Sequence, residues 1–231
     1  MVNIKTYNPI KLRQRKLKSE AEMVNFSKQH LVDMKKRHTI RDFSKKIVSF
    51  SIIKNCIQVA CSAPSGANHQ PWHFCAIADP KIKHRIRLEA EREEKRFYND
   101  MKNDEWLSAL EPLGTSPNKP HLEDAPWLII VFAERYGLLK KGGKFKNYYV
   151  PESVGIAIGF LISALHQTGL YCLTHTPNPM GFLRKICKRP SSNKAVLILA
   201  VGHPSKNATI PSASKIKKPL SEVLSIFKSL S

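Results

Sequence analysis

The segment Val154–Leu165, VGIAIGFLISAL, constrains the fold more than any other stretch of the chain. No charge interrupts it, so much of its surface must leave water. It falls short of the ~20 apolar residues that a membrane-spanning helix requires. A helix buried in a globular core is what remains, over Glu152–His166, with Pro151 tolerable in its first turn. Gly155, Gly159 and Ser163 recur every four residues, which makes one face of that helix small enough for another element to approach closely.

The rest of the chain supplies layers for such a helix. Apolar spacing predicts a helix over 18–36, with Met23, Phe26, Leu31 and Met34 as its apolar points. A second helix, Ser51–Cys61, starts at a serine and is closed by the loop APSGANHQPW at 63–72. Lys81–Met101 reads as a strongly charged helix. PLGTSPNKP at 112–120, with three prolines and a glycine, reads as a loop, and KKGGK as a hairpin or loop tip. Short strands are expected at Phe74–Ala78, Trp127–Phe132, Tyr171–Thr174 and Ala195–Val201, and a short apolar helix in the tail. Strands scattered among more numerous helices imply one sheet with helices around it, in a single domain over 1–231. The polar excursion between 81 and 120 has the character of a lid, with the insertion itself at about 88–120.

Composition removes several classes. The N-terminus is polar and basic, without the apolar stretch of a signal peptide. Five cysteines, none in CxxC, fit buried free thiols in a reducing compartment rather than a disulfide framework, and no Cys/His spacing suits a metal. The formal net charge is +20, with Lys11, Arg13, Arg15, Lys16 and Lys18 in one cluster. Such charge fits nucleic acid, an anionic cofactor or merely solvated helix faces, and no nucleic-acid-binding motif accompanies it. P-loop, GxGxxG, HExxH and nucleophile-elbow patterns are absent from the sequence.

Three segments carry groups suited to an anionic, planar ligand. KRHTIR offers Arg37, His38, Thr39 and Arg41, whose guanidinium forks and hydroxyl suit a phosphate, although a basic helix terminus reads the same way. In the 63–72 loop, Gly66 permits a backbone geometry denied to other residues and a close approach to a ligand. Ser65, Asn68 and Gln70 bring paired donors and acceptors that match a heterocycle edge, while a helix C-cap and turn with Trp72 in the core is the plainer alternative. Thr174–Pro177, THTP, would end a strand in hydroxyls and an imidazole.

Taken together and in this order, RHTIR, APSGANHQPW, the threonine-bearing strand end and the basic C-terminal segment resemble the nitroreductase-like flavoprotein superfamily. The closer resemblance, from about Phe26 to Leu220, is to its iodotyrosine deiodinase family in the soluble bacterial form, through NYYVPESVGIAIGFL, ALHQTGL, LTHTP and VGHPS. That resemblance implies an α+β fold, a central and mostly antiparallel sheet flanked by helices, with FMN at the interface of a homodimer. It implies that Arg37, His38, Thr39 and Arg41 bind the phosphate, ribityl chain and pyrimidine edge, with Lys217 where the family has a phosphate-binding arginine. Pro64, Ser65, Gly66 and Asn68 would line the flavin. Thr174, His175 and Thr176 would reach it from the partner subunit, with the Thr176 hydroxyl aimed at N5. Glu94, Tyr98 and Lys119 would clamp the ammonium and carboxylate of a free amino acid, and the Ala67 N–H would donate to the substrate phenolate. His38 and Asn68 depart from the family, which has arginine and histidine there.

The activity implied is FMN-dependent reductive dehalogenation of a halotyrosine or halophenol, 3-iodotyrosine giving tyrosine and iodide. A cytoplasmic homodimer without metal, nucleic acid or membrane is expected. A general NAD(P)H-dependent nitro- or quinone reductase on the same scaffold would make the Glu94, Tyr98 and Lys119 set accidental. A flavin-consuming relative that makes the benzimidazole of cobalamin has no use for that set. A basic nucleic-acid-binding protein is the alternative outside enzymes, and it predicts salt-sensitive binding and no flavin.

Overall fold

The structure, a computed structural model, describes residues 7–100, 108–139 and 142–227. The expected end of the charged helix at Met101, part of the lid, and Lys140 and Lys141 of the KKGGK tip lie outside the described residues. The chain divides into two compact units, Met1–Lys36 and Arg37–Ser231. In the first, α1 (Glu20–Met34) starts at a capping box in which Ser19 and Glu22 satisfy each other's backbone N–H groups. None of its residues is buried.

The second unit is built on a sheet of order β1 (Trp72–Ile77), β2 (Trp127–Glu134), β6 (Asn193–Gly202), β5 (Tyr171–His175), antiparallel at every step. A separate hairpin pairs β3 (Tyr136–Leu138) with β4 (Lys144–Lys146). Strand β2 reads as a continuous apolar run because both its faces are covered. Leu128, Ile130 and Phe132 meet Ile86 and Ala90 of α3 (Pro80–Asp100), Leu122 of α4 (His121–Asp124) and Leu183 of α6 (Gly181–Ile186). Ile129 and Val131 face the other way, onto α2 (Phe50–Cys61) and α5 (Val150–Gln167). A bulge between Val131 and Phe132 shifts the register with β6, leaving Val196 without a residue directly opposite.

The apolar segment that opened the sequence is α5. With 18 residues it is long and apolar enough to cross a membrane on those grounds alone. Its Val154, Ala157, Ile158, Leu161 and Leu165 stripe is instead packed into the core against the sheet and α2. The small face is not the packed one, since a Cβ added at Gly155 or Gly159 would meet open space. Helix α2 begins one residue earlier than expected, because Ser49 rather than Ser51 is its cap. The short elements α4, α6, β3 and β4 give too little periodicity to be read from sequence. A short helix α7 (Leu220–Val223) stands in the tail, as expected.

All five cysteines are free. Burial was expected for them, yet only Cys56 and Cys172 are buried, Cys75 and Cys187 are half-buried, and Cys61 is exposed at the end of α2. Among the described residues no cluster of three or more His, Cys, Asp or Glu side chains could hold a metal ion.

Candidate active site

Strand β5 sets the floor of a cavity of about 740 Å³. Successive strand residues face opposite sides, so Thr174 is exposed while His175 turns inward and is buried. Thr176, just past the strand, is exposed again. Glu94 and Tyr98 from α3, Thr115 and Lys119 from the proline-rich loop, and Met180 complete the wall. The structure therefore gathers the whole expected clamp, Glu94, Tyr98 and Lys119, at one mouth with Thr174 and Thr176.

These side chains close on one another. Lys119 Nζ lies 3.1 Å from Glu94 Oε2, with the two side chains only 8% and 14% exposed. The Tyr98 hydroxyl donates to Thr115 Oγ1 at 3.0 Å, which ties the end of α3 to the loop. Behind the pair sits His175, its Nε2 3.9 Å from Glu94 Oε1. The His175 ring meets that of His121 edge-on, with centroids 5.6 Å apart. Neither Nε2 has a hydrogen-bond partner among the described residues. Burial, then the charges of Lys119, His121 and Arg41, pushes His175 down to about 3. Burial, then Lys119, Arg41 and Arg87, pushes His121 down to about 4. Both rings are neutral at pH 7, which leaves the Lys119 ammonium free of imidazolium competition for Glu94. His121 was not foreseen. Only its place two residues after Lys119 could have suggested it.

The KRHTIR set divides. Arg41 is half-buried, its guanidinium close enough to Tyr98 and both buried histidines for their charges to interact. His38 belongs elsewhere. It is held below the usual range by burial and then by Arg37, Lys215, Lys217 and His166. Each of these four groups pushes it down, as a positive charge does. Such a group of cations, with no carboxylate among the charges that move His38, suits a dianionic phosphate. Lys217 Nζ donates to Ser214 O at 2.8 Å, which leaves an ammonium two further hydrogens for an anion. Lys215, at the end of a short 3₁₀ turn, Ser212–Lys215, joins the group.

The loop before β1 is the third part. Its backbone is wound through positive φ at Ala67 (50°), Asn68 (53°) and Gln70 (50°), a costly conformation for residues with a Cβ. Hydrogen bonds fix it. The Gln70 N–H donates to Ser65 Oγ at 2.9 Å and the Gly66 N–H to Ser153 Oγ at 3.2 Å. Gly66 itself is not at positive φ, so the expected reason for a glycine there needs correcting. A Cβ at Gly66 would lie 2.6 Å from the Tyr148 carbonyl oxygen, and that close backbone crossing is what requires glycine. Ala67 is exposed, and its N–H makes no hydrogen bond among the described residues. Asn68 Oδ1 accepts from Gln70 Nε2 at 3.2 Å, so these amides partly satisfy each other. Pro64 is exposed beside them and Thr39 is half-buried.

The loop does not line the clamp cavity. Sheet order explains this. The loop enters β1 and Thr176 leaves β5, which are opposite edges of the sheet. The alternation of strand direction puts both toward the same end, three strand spacings or at least roughly 14 Å apart.

Comparison with known proteins bears on this arrangement. The profile of the nitroreductase family matches residues 34–203. The chain is similar to an iodotyrosine deiodinase of Haliscomenobacter hydrossis, 47% identical over 85% of this chain and 89% of that one. It is similar to human iodotyrosine deiodinase 1 at 38% identity over 89% of this chain and 71% of the other. Among solved structures it is similar to an oxidised iodotyrosine deiodinase bound to FMN and 3-iodo-L-tyrosine, with a TM-score of 0.70 and 33% identity, covering 87% of this chain and all of the other.

Proposed function

This chain belongs to the nitroreductase family, and from that premise we propose that it is an FMN-dependent oxidoreductase that removes halide from a halogenated tyrosine. One observation carries the substrate class. Glu94 and Lys119 face each other at 3.1 Å across the cavity mouth, a negative and a positive group placed to take the ammonium and carboxylate of one free amino acid. Without substrate they neutralise each other. A zwitterion that enters must part them, and it returns to each residue the opposite charge it lost. A phenol without those two groups cannot make that exchange.

The cofactor's phosphate fits the cations around His38, namely Arg37, Lys215 and Lys217. Ser65 and Gly66 carry the backbone that would lie against the ring, and the Ala67 N–H is a donor for the phenolate oxygen. Thr176 offers a hydroxyl at the cavity floor. When bound and reduced, FMN would supply two electrons, so that with one proton the carbon–halogen bond becomes carbon–hydrogen and halide leaves. The residues of the chain orient the ring, hold its phenolate and, with the lid over 88–120 closed, exclude water.

This reading calls for a homodimer. The loop donors and Thr176 stand at opposite sheet edges, so a second copy would bring one copy's loop to the other's strand end. The exposed side chains Phe50, Val59, Ile156 and Phe160 on α2 and α5, and the unoccupied small face at Gly155 and Gly159, give such a copy an apolar surface to cover.

The test is iodide release from 3-iodotyrosine by the FMN-loaded protein under a chemical reductant. Glu94→Gln should retain FMN and lose at least about thirtyfold in kcat/KM for iodotyrosine, since removing one partner of a desolvated ion pair costs about 2–5 kcal/mol. An unchanged kcat/KM in that variant would refute the assignment. Faster reduction of nitroaromatics than of iodotyrosine by the native protein would favour the general reductase.

A further inference from the structure

We infer that Glu91 is a positioning residue for the substrate clamp, holding the backbone of Lys119 while Glu94 and the substrate compete for its side chain. This inference rests on the function proposed above. Glu91 lies one turn before Glu94 on α3, and its side chain is 13% exposed. Its Oε1 accepts from the Lys119 backbone N–H at 2.7 Å and from Arg87 Nε at 2.7 Å. Lys119 is thus gripped twice by the same helix, through its amide by Glu91 and through its ammonium by Glu94 at 3.1 Å.

The grip extends along α3. Arg87 Nη1 reaches Glu123 Oε2 at 3.5 Å, and His84 Nδ1 lies 2.6 Å from Glu123 Oε1. Lys83 Nζ donates to the carbonyl oxygens of Glu123 at 2.9 Å and Ala125 at 2.7 Å. Three successive turns of α3 therefore hold the segment from Lys119 to Ala125. Burial opposes the Glu91 charge, but the Lys119 N–H and the Arg87 guanidinium together bring its carboxyl below the usual range. At neutral pH it is a carboxylate.

The division of labour follows from geometry. A lysine side chain has four rotatable carbon–carbon bonds, and ordering it costs up to ~2 kcal/mol. If its Cα were also free, the ammonium would explore a much larger volume and meet the substrate carboxylate less often. Fixing the amide leaves only the swing of the side chain from Glu94 to the substrate. A group that touches neither substrate nor flavin then governs binding geometry.

The experiment compares Glu91→Ala and Glu91→Gln with the native FMN-loaded protein. Glu91→Ala should raise KM and the dissociation constant for iodotyrosine about tenfold or more, since small misplacements in a site cost up to ~100-fold. It should leave FMN retention unchanged and alter kcat much less than KM. Glutamine keeps an acceptor for the Lys119 amide and should recover a large part of the loss. Hydrogen exchange at the Lys119 amide should accelerate in Glu91→Ala and less so in Glu91→Gln. If Glu91→Ala is too unstable to purify, Arg87→Ala keeps the Lys119 contact while loosening the carboxylate, and it should show a smaller rise in KM alone. An unchanged KM in Glu91→Ala, or equal losses of KM, kcat and flavin together, overturns the inference. A native protein that neither binds nor dehalogenates iodotyrosine, with its Lys119 amide protected all the same, overturns the proposed function instead.

Discussion

Gly66→Ala adds a single methyl group to the loop at the front of β1, and the structure says how badly it fits. The new Cβ would lie 2.6 Å from the Tyr148 carbonyl oxygen, 3.0 Å from its carbon and 3.1 Å from Cδ2 of Tyr149. Ordinary contact begins at 3.4 Å, so the shortfall to the oxygen is 3.4 − 2.6 = 0.8 Å. No flexible side chain stands at the closest point to yield. The obstacle is backbone leading into α5, where Tyr149 is itself in the left-handed region at φ 49°. On the other side, Ala67 and Asn68 already sit at positive φ. Overpacking of this kind costs about 1–3 kcal/mol. At ~2–4 °C per kcal/mol for a chain of this size, the midpoint of unfolding should drop by roughly 2–12 °C. The same shift would displace the Ala67 N–H and weaken flavin retention. Scanning calorimetry and the ratio of flavin to protein absorbance after desalting measure both. Ala67→Gly is the control, because it relieves a left-handed alanine and should change stability by no more than ~1 kcal/mol. An unchanged midpoint with full flavin in Gly66→Ala would show that the backbone crossing is not tight and that the reasoning fails.

Two titrations give further tests. His121 and His175 stand at about 4 and about 3 in the folded chain, against about 6.5 when unfolded. From pH 6.5 down to about 4 the unfolded chain takes up protons that the native one refuses, so stability falls as pH falls through that window. Melting temperatures measured between pH 7 and 5 should show this slope, and His121→Phe should flatten it. An equally steep slope in the variant would exclude His121 as a source of it. Cys75 is pushed below the usual thiol range by its hydrogen bond with Cys187, against burial and with help from His73. It should therefore be alkylated by iodoacetamide at pH 6.5 faster than the more exposed Cys61, whose thiol desolvation pushes up. Peptide mass spectrometry in which Cys61 labels first would refute the assignment, and Cys187→Ala should slow the labelling of Cys75.

Much of the fold was legible because it depends on local pattern. The long apolar helix, the doubly covered β2 and the capped helices follow from spacing and cap residues within a few positions. The clamp was legible in part, since Glu94 and Tyr98 are one helical turn apart. Its partner Lys119 was attached to them through family resemblance, and the cavity now places it there. What was missed has a common cause. Lys215 was one more lysine in a basic tail, and Glu91 one more acid in a helix that carries Glu89, Glu93 and Glu94 as well. Nothing in local sequence separates a solvated carboxylate from one that accepts an amide 28 residues away.

The sequence alone determined the layers, because burying the apolar faces of α5 and β2 admits few arrangements, and it determined which residue types stood ready for an anionic flavin and a zwitterion. Tertiary structure decided which of them meet. Strand alternation turned His175 away from Thr174 and Thr176 and set it beneath Glu94. Folding set Arg41 within electrostatic range of the buried histidines and His38 within range of the cations of the tail, though only two residues separate them in sequence. The carbonyl of Tyr148, remote in sequence, made Gly66 a matter of space rather than of dihedral freedom. Each of these is a contact between distant segments, and electrostatic and steric energies depend on distance in space, which the order of residues does not record.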